Sequence, residues 1–248
     1  MIILSILFLI TAILYSSVGF GGGSTYLALL LIWDIPYYIF PVIALICNII
    51  VVSGNSFNYI KSGNHNFKLL IPFLISSLPF AFLGGTLSVN KEIFEILLFF
   101  VLSIAGVLLL ISNKSYENKD IVVKEINLFL SLILGSILGL VSGIVGIGGG
   151  IFLSPILFLL KAEKPKTIVT TASVFILINS ISGVLGQLTK ENVLNEVFIY
   201  WPLFFAVFTG GLFGNYLNLK IFSNRLLAII TSLLVIFVAI RMAFKIFF

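Results

Sequence analysis

The sequence predicts an all-α polytopic membrane protein made of two repeats, each with about four hydrophobic segments, the first segment of each repeat broken at a glycine cluster. Three observations predict it. Of the 248 residues, 60% are hydrophobic and only 9% are charged, against about 25% charged in an ordinary soluble domain; the mean hydropathy is +1.24. The apolar residues come in runs long enough to span a bilayer, and most runs are apolar all round, without the polar face of a soluble helix. The pattern of runs also restarts in mid-chain.

Taken in order, the first segment runs from Ile2 to Trp33 and is interrupted at Gly19 to Gly23. It has no basic stretch before it, and its pattern recurs where no cleavage could act, so residues 1–17 are expected to be mature structure and not a signal peptide. Ile35 to Ile60, Phe67 to Leu87 and Ile93 to Ile111 follow. Residues 112–125 are the longest polar stretch, with Lys114, Glu117, Lys119, Asp120, Lys124 and Glu125, and form the expected linker. The second repeat, 126–248, comprises Ile126 to Leu160, interrupted at Gly146 to Gly150, then Thr167 to Leu188, Val197 to Leu219, and Leu226 onward. Three landmarks relate it to the first repeat, 1–111. Gly19-Phe20-Gly21-Gly22-Gly23 matches Gly146-Ile147-Gly148-Gly149-Gly150, Asn48 matches Asn179, and Gly84-Gly85 matches Gly210-Gly211.

Length explains why the first segment breaks. Ile2 to Trp33 is 32 residues, about 48 Å as a straight helix against a hydrocarbon thickness of about 30 Å. Glycines weaken a helix and admit backbone angles closed to other residues. Unwound backbone inside a membrane must be buried in protein or line a cavity, and paired breaks in two halves of a transporter mark a binding site.

Charge distribution bears on topology. If each broken segment crossed once, the two faces would carry eight and six Lys and Arg residues, which is no bias. If each returns to its own side, one face holds Lys61, Lys68, Lys114, Lys119, Lys124, Lys161, Lys164, Lys166, Lys220 and Arg225, and the other only Lys91, Lys190, Arg241 and Lys245. The second arrangement obeys the positive-inside rule and favours inverted repeats with both termini outside.

The net charge of +5 comes from scattered residues with no basic tract, so the expected partner is anionic headgroups and not nucleic acid. Cys47 is alone in an apolar run, which excludes a disulfide framework or a cysteine metal cluster. His65 lies in a polar loop. No Asp, Glu, Lys, Arg or His falls near the middle of an apolar segment, so neither an intramembrane proton relay nor a nucleophile–base pair is expected, and the chain is not expected to be an enzyme or to carry a cofactor. The glycine clusters lack the Lys-Ser/Thr and the strand context of nucleotide-binding loops.

What remains is neutral chemistry suited to an anion. A helix restarting after Gly23 or Gly150 presents unpaired N–H groups and the positive end of a dipole. The candidate substrate-binding residues are Gly21, Gly22, Gly23, Ser24, Thr25, Asn48, Gly148, Gly149, Gly150 and Asn179. Ser53, Asn55, Ser180 and Ser182 follow within two turns. Close helix packing is the alternative for Gly19-x3-Gly23, Gly135-x3-Gly139 and Gly146-x3-Gly150, and interhelical hydrogen bonding for the two asparagines. Ser24 and Thr25 have Ile151 and Phe152 as counterparts, so the halves are chemically unequal.

Gly143-Ile144-Val145-Gly146-Ile147-Gly148-Gly149-Gly150-Ile151-Phe152-Leu153-Ser154-Pro155-Ile156-Leu157, its partner Val18-Gly19-Phe20-Gly21-Gly22-Gly23, and Thr170-Thr171-Ala172-Ser173 give nearly the whole chain a resemblance to the TauE/SafE sulfite exporter family, also described as a 4-toluene sulfonate uptake permease family. The first copy departs from the pattern in lacking the proline, with Leu27 to Leu31 in its place. The resemblance implies a multi-pass permease in the cell membrane for sulfite, sulfonates or related sulfur-containing organic anions. An anion channel on the same scaffold and a non-transporting scaffold subunit are the alternatives. Self-association into a homo-oligomer is left open.

Overall fold

A computed structural model describes residues 1–17, 19–33, 35–112, 123–191 and 193–217, and from there only Ile229, Ser232, Leu233, Ile236, Phe237, Ala239, Ile240, Ala243 and Phe244. Most of the linker, and most of the segment from Leu226 onward, therefore lie outside the described residues. The described chain is helical: α1 (Ile2–Ser16), α2 (Gly23–Ile32), a 3-10 turn (Tyr37–Ile39), α3 (Phe40–Lys61), α4 (Phe67–Thr86), α5 (Lys91–Ser112), α6 (Leu128–Val145), α7 (Gly150–Leu159), α8 (Pro165–Gln187), α9 (Val193–Phe198) and α10 (Trp201–Leu217). Among the described residues, five helices are long and apolar enough to cross a membrane: Tyr37–Lys61 (the 3-10 turn with α3), α4, α5, α6 and α8. The chain is a multi-pass membrane protein.

Most helices begin and end where the sequence places them. Asn66 caps α4 by accepting from the Leu69 N–H at 3.2 Å, and Asn127 caps α6 by accepting from Phe129 N–H at 2.9 Å. The run from Val197 to Leu219 is not one helix. It divides into α9 and α10, because Pro202 has no N–H to continue a helix from the preceding turn and sits instead in the first turn of α10.

Both interrupted segments are hairpins. Their second arms, α2 and α7, have 10 residues each, about 15 Å, half of a hydrocarbon core. In the second hairpin the Lys124 N–H donates to the Lys161 carbonyl at 3.0 Å, so the approach to α6 lies beside the end of α7. In the first hairpin Tyr26 stacks on Phe8 with ring centroids 4.8 Å apart, which requires α2 to fold back along α1. The loop before α4 joins the same face as the open end of the second hairpin, because Asn66 Nδ2 donates to Glu163 Oε2 at 2.9 Å. Lys61, Lys68, Lys124, Lys161, Lys164 and Lys166 thus gather on this first face. On the second face Tyr38 donates to Glu196 and Tyr37 packs on Phe94 of α5, which puts Lys91 and Lys190 there.

The helices exchange partners between the two halves. α4 packs on α6 and α8, while α10 packs on α1 and α3. Glycines permit the close approach. A Cβ on Gly84 would strike the Leu140 carbonyl of α6, and one on Gly85 would lie 2.6 Å from the Gly183 carbonyl of α8. In the other half, a Cβ on Gly210 would lie 2.5 Å from the Leu9 carbonyl of α1, whereas one on Gly211 would find its nearest neighbour, Val51 of α3, at 3.7 Å. Gly135 and Gly139 face Phe73 and Ser77 in the same manner, so this Gly-x3-Gly pair is a packing surface.

Two outcomes follow. Cysteines placed singly at Lys61 and Lys164 react with an impermeant thiol reagent from one side of the membrane, and one at Lys91 only from the other; labelling of Lys61→Cys and Lys164→Cys from opposite sides would overturn the hairpin arrangement. Gly210→Ala lowers stability by about 1–3 kcal/mol through overpacking, while Gly211→Ala stays within about 0.5 kcal/mol of the parent, as read by thermal unfolding in detergent.

Candidate functional site

Each hairpin tip is made of glycines in the left-handed region. Gly22 (φ 84°) caps the start of α2, and Gly149 (φ 75°) caps the start of α7. A side chain there is strained by about 1–2 kcal/mol, which explains the same residue at the same place in both halves. The tips thus combine a left-handed break with close packing, since a Cβ on Gly146 would strike Pro41 Cα, whereas Gly135 and Gly139 serve packing within a continuous helix.

The two tips meet at Asn48, which α3 carries fully buried between them. Asn48 Nδ2 donates to the Ile147 carbonyl of the second tip at 3.2 Å, which fixes the orientation of the amide. The first tip is equally close. A Cβ on Gly23 would lie 2.7 Å from Asn48 Nδ2, and one on Gly21 would collide with Asn48 Oδ1. On the second tip a Cβ on Gly148 would come within 2.8 Å of Nδ2 and 3.0 Å of the Ser180 hydroxyl. Gly21, Gly23, Gly148 and Asn48 thus form one cluster, with Ile176 of α8 against it.

Polar groups around the cluster are underused. The first N–H groups of α2 and α7, those of Gly23, Ser24, Gly150 and Ile151, have no partner within their own helices. Ser24 Oγ, Tyr26 Oη, Asn48 Oδ1, Asn179 Oδ1 and Ser180 Oγ are buried without a hydrogen-bond partner. Buried hydroxyls and amides are ordinarily paired, so this concentration is unusual. Thr25 differs: its hydroxyl meets Tyr15 Oη at 2.7 Å.

The remaining candidates stand further off. Gly22 faces the rings of Tyr15 and Tyr26, Gly149 faces Phe175, and Gly150 faces Ile176. Asn179 Nδ2 bonds the Phe175 carbonyl of its own helix at 3.0 Å, so it does not repeat the bridge that Asn48 makes to the opposite tip. Ser53 likewise bonds its own helix at Ile49, while Ser182 reaches across to the Leu78 carbonyl of α4 at 2.7 Å. The Ile147 carbonyl and Ile176 were not singled out by sequence, since a backbone acceptor and an aliphatic wall leave no compositional signal. No group of His, Cys, Asp or Glu among the described residues could hold a metal ion.

A family model described as Sulfite exporter TauE/SafE matches residues 4–242 of the chain. The chain belongs to this family. Among its relatives is a probable membrane transporter protein, y4hK, of Sinorhizobium fredii, 26% identical over 234 residues that span 93% of each chain. A probable membrane transporter protein of Methanocaldococcus jannaschii, MJ0441, is 31% identical over 224 residues, covering 86% of this chain and 82% of the relative. No solved structure matches. As a TauE/SafE family member with these relatives, the protein is a membrane transporter.

The bridge made by Asn48 is open to test by stability. Asn48→Ala orphans the Ile147 carbonyl and costs about 1–3 kcal/mol. Asn179→Ala removes a bond within one helix whose acceptor is already engaged, and costs less than Asn48→Ala. Thermal unfolding of the two variants in detergent ranks them, and equal or reversed losses contradict the bridging role.

Proposed function

We propose that the chain is a secondary carrier of small oxyanions, sulfite, sulfonates or related sulfur-containing anions, bound between the two hairpin tips. The observation that supports this reading most directly is the convergence of both tips on Asn48, with the N-terminal ends of α2 and α7 and unpartnered hydroxyls around them. Each helix start contributes the equivalent of roughly half a positive charge, and donors fixed in a dry setting favour a negative ligand. No carboxylate stands among the residues of this cluster to repel it. Ser24 and Ser180 would donate hydroxyls, Asn48 its remaining amide N–H, and Ile176 would cover the apolar part of an organic anion.

The burial of every proposed site residue favours a carrier over a channel, because a channel exposes its pathway to water at both ends. The return of both broken segments to their own faces supports inverted repeats, with the lysine-rich first face in the cytoplasm. A carrier with a central site then works by exposing it to one face at a time.

Purified protein in liposomes is expected to move labelled sulfite or methanesulfonate with saturable kinetics. Ser24→Ala should raise KM about tenfold or more, the effect of losing one hydrogen bond to a charged group. Gly23→Val, which drives a side chain into Asn48, should abolish flux in protein that still purifies as a single species. Absence of flux for both anions sinks the proposal, and flux that never saturates points to a channel.

A further inference from the structure

The second face carries a polar chain that the proposed site does not use. Gln187, the last residue of α8, is fully buried. Its Nε2 donates to the Gly143 carbonyl at 2.7 Å, at the end of α6 and just before the second tip. Its Oε1 accepts from Lys190 Nζ at 2.8 Å. Both ends of the amide are therefore engaged, and the amide ties the lysine to the end of α6 beside the second tip. Lys190 lies just beyond α8, half-buried, and no carboxylate pairs with it among the described residues. An ammonium has three donors; one is spent on Gln187. Burial lowers the pKa of this amine, a penalty on its charge that a bound anion would offset.

The first face has no such group at the matching place. Tyr59 follows Asn48 at the interval by which Lys190 follows Asn179. Its ring lies over the first tip, where a Cβ on Gly19 would be 2.5 Å from Cε2. Ser56, at the interval of Gln187, meets the Ser173 hydroxyl at 3.1 Å. At matching places, α3 thus carries neutral hydroxyls and the end of α8 a held cation. The other described cation on that face, Lys91, is exposed.

We propose that Lys190, held by Gln187, is an outer docking site for a small oxyanion at the second face, ahead of the site between the tips. A compact ammonium with two further donors suits a tetrahedral or pyramidal oxyanion, and a half-buried cation raises the local concentration of anions. A lysine at a helix end can bond the last free carbonyls. Lys190 bonds a side-chain amide whose other end is already committed to α6. The role of this site as a station on a transport path rests on the carrier reading above.

The test is protection of the amine in the purified full-length protein. Acetylation by acetic anhydride, read lysine by lysine by mass spectrometry, is compared in sodium methanesulfonate and in sodium gluconate at equal ionic strength. Methanesulfonate is expected to slow acetylation of Lys190 several-fold and to leave Lys91 unchanged. No protection of Lys190, or equal protection of both lysines, overturns the docking site. In liposomes, Lys190→Met should raise KM for methanesulfonate presented at the second face more than it lowers kcat, and Lys190→Arg should restore it; equal loss from both faces overturns the site as well. Protection of Lys190 in a protein without flux would uphold the docking site and defeat the carrier reading, so the two fail separately.

Discussion

Everything in this fold depends on sheltering unwound backbone from lipid. Residues 19–22 and 146–149 leave the helical hydrogen-bond ladder, with only some of their peptide groups bonded back to the flanking helices, and each unpaired peptide group exposed to hydrocarbon costs several kcal/mol. A 10-residue arm cannot carry the chain out to the far side, so each hairpin tip stays buried within the bundle. The surrounding helices must close over it from more than one direction. This is achieved by exchange: α4 of the first half lies on α6 of the second, and α10 of the second lies on α1 of the first. Such contact needs helix backbones nearly touching, and Gly84, Gly139, Gly143, Gly210 and Gly214 are the residues that allow it.

The limits of what the sequence revealed follow from the same physics. The helices, the breaks and the pairing of Asn48 with the glycine clusters were legible, because length, apolar runs and glycine all act locally. The partner exchange was not. A glycine in an apolar run signals that something approaches closely, but not which helix, and Gly19-x3-Gly23 looks the same as Gly135-x3-Gly139 until φ is known. The acceptor for Asn48 was invisible because it is a main-chain carbonyl far along the chain. Asn179 shows the opposite difficulty. It matches Asn48 in sequence, yet its amide closes onto its own helix, since residue type does not say whether a side chain bonds inward or across. Lys190 resembles any charge that ends an apolar segment; only the burial of Gln187 sets it apart.

The two halves share a scaffold but not a chemistry. After the first tip come Ser24, Thr25 and Tyr26; after the second come Ile151, Phe152 and Leu153. Backbone N–H groups and dipoles are supplied equally by both halves, because any residue provides them. Hydroxyls next to the tip are supplied by the first half, at Ser24, Thr25 and Tyr26. A ligand in the cluster therefore meets charge stabilisation from two directions and side-chain donors mainly from the first half, with Ser180 as the contribution of α8. If the proposed ligand binds there, this inequality would favour one orientation over its opposite.

The position of the cluster also bears on how it would open. α4, α6 and α8 are locked together by contacts made backbone to backbone at Gly85, Gly139, Gly143 and Gly186, and α1 is locked to α10 in the same way at Gly210 and Gly214. Groups packed this tightly move as units, since a small shift already produces collision. The contact between α3 and α8 is of another kind. It runs through side chains, with the Ser56–Ser173 hydroxyl pair and Leu45 against Gly183. Side chains can change rotamer and partner where backbones cannot, so this seam is where displacement costs least. Asn48 lies on it and bonds the second tip at the Ile147 carbonyl, while Pro41 at the start of α3 packs backbone to backbone on Gly146. Movement along the seam would break that bond and part the two tips, so a ligand that bound between them, as proposed, would enter at the expense of the contact that now closes the cluster.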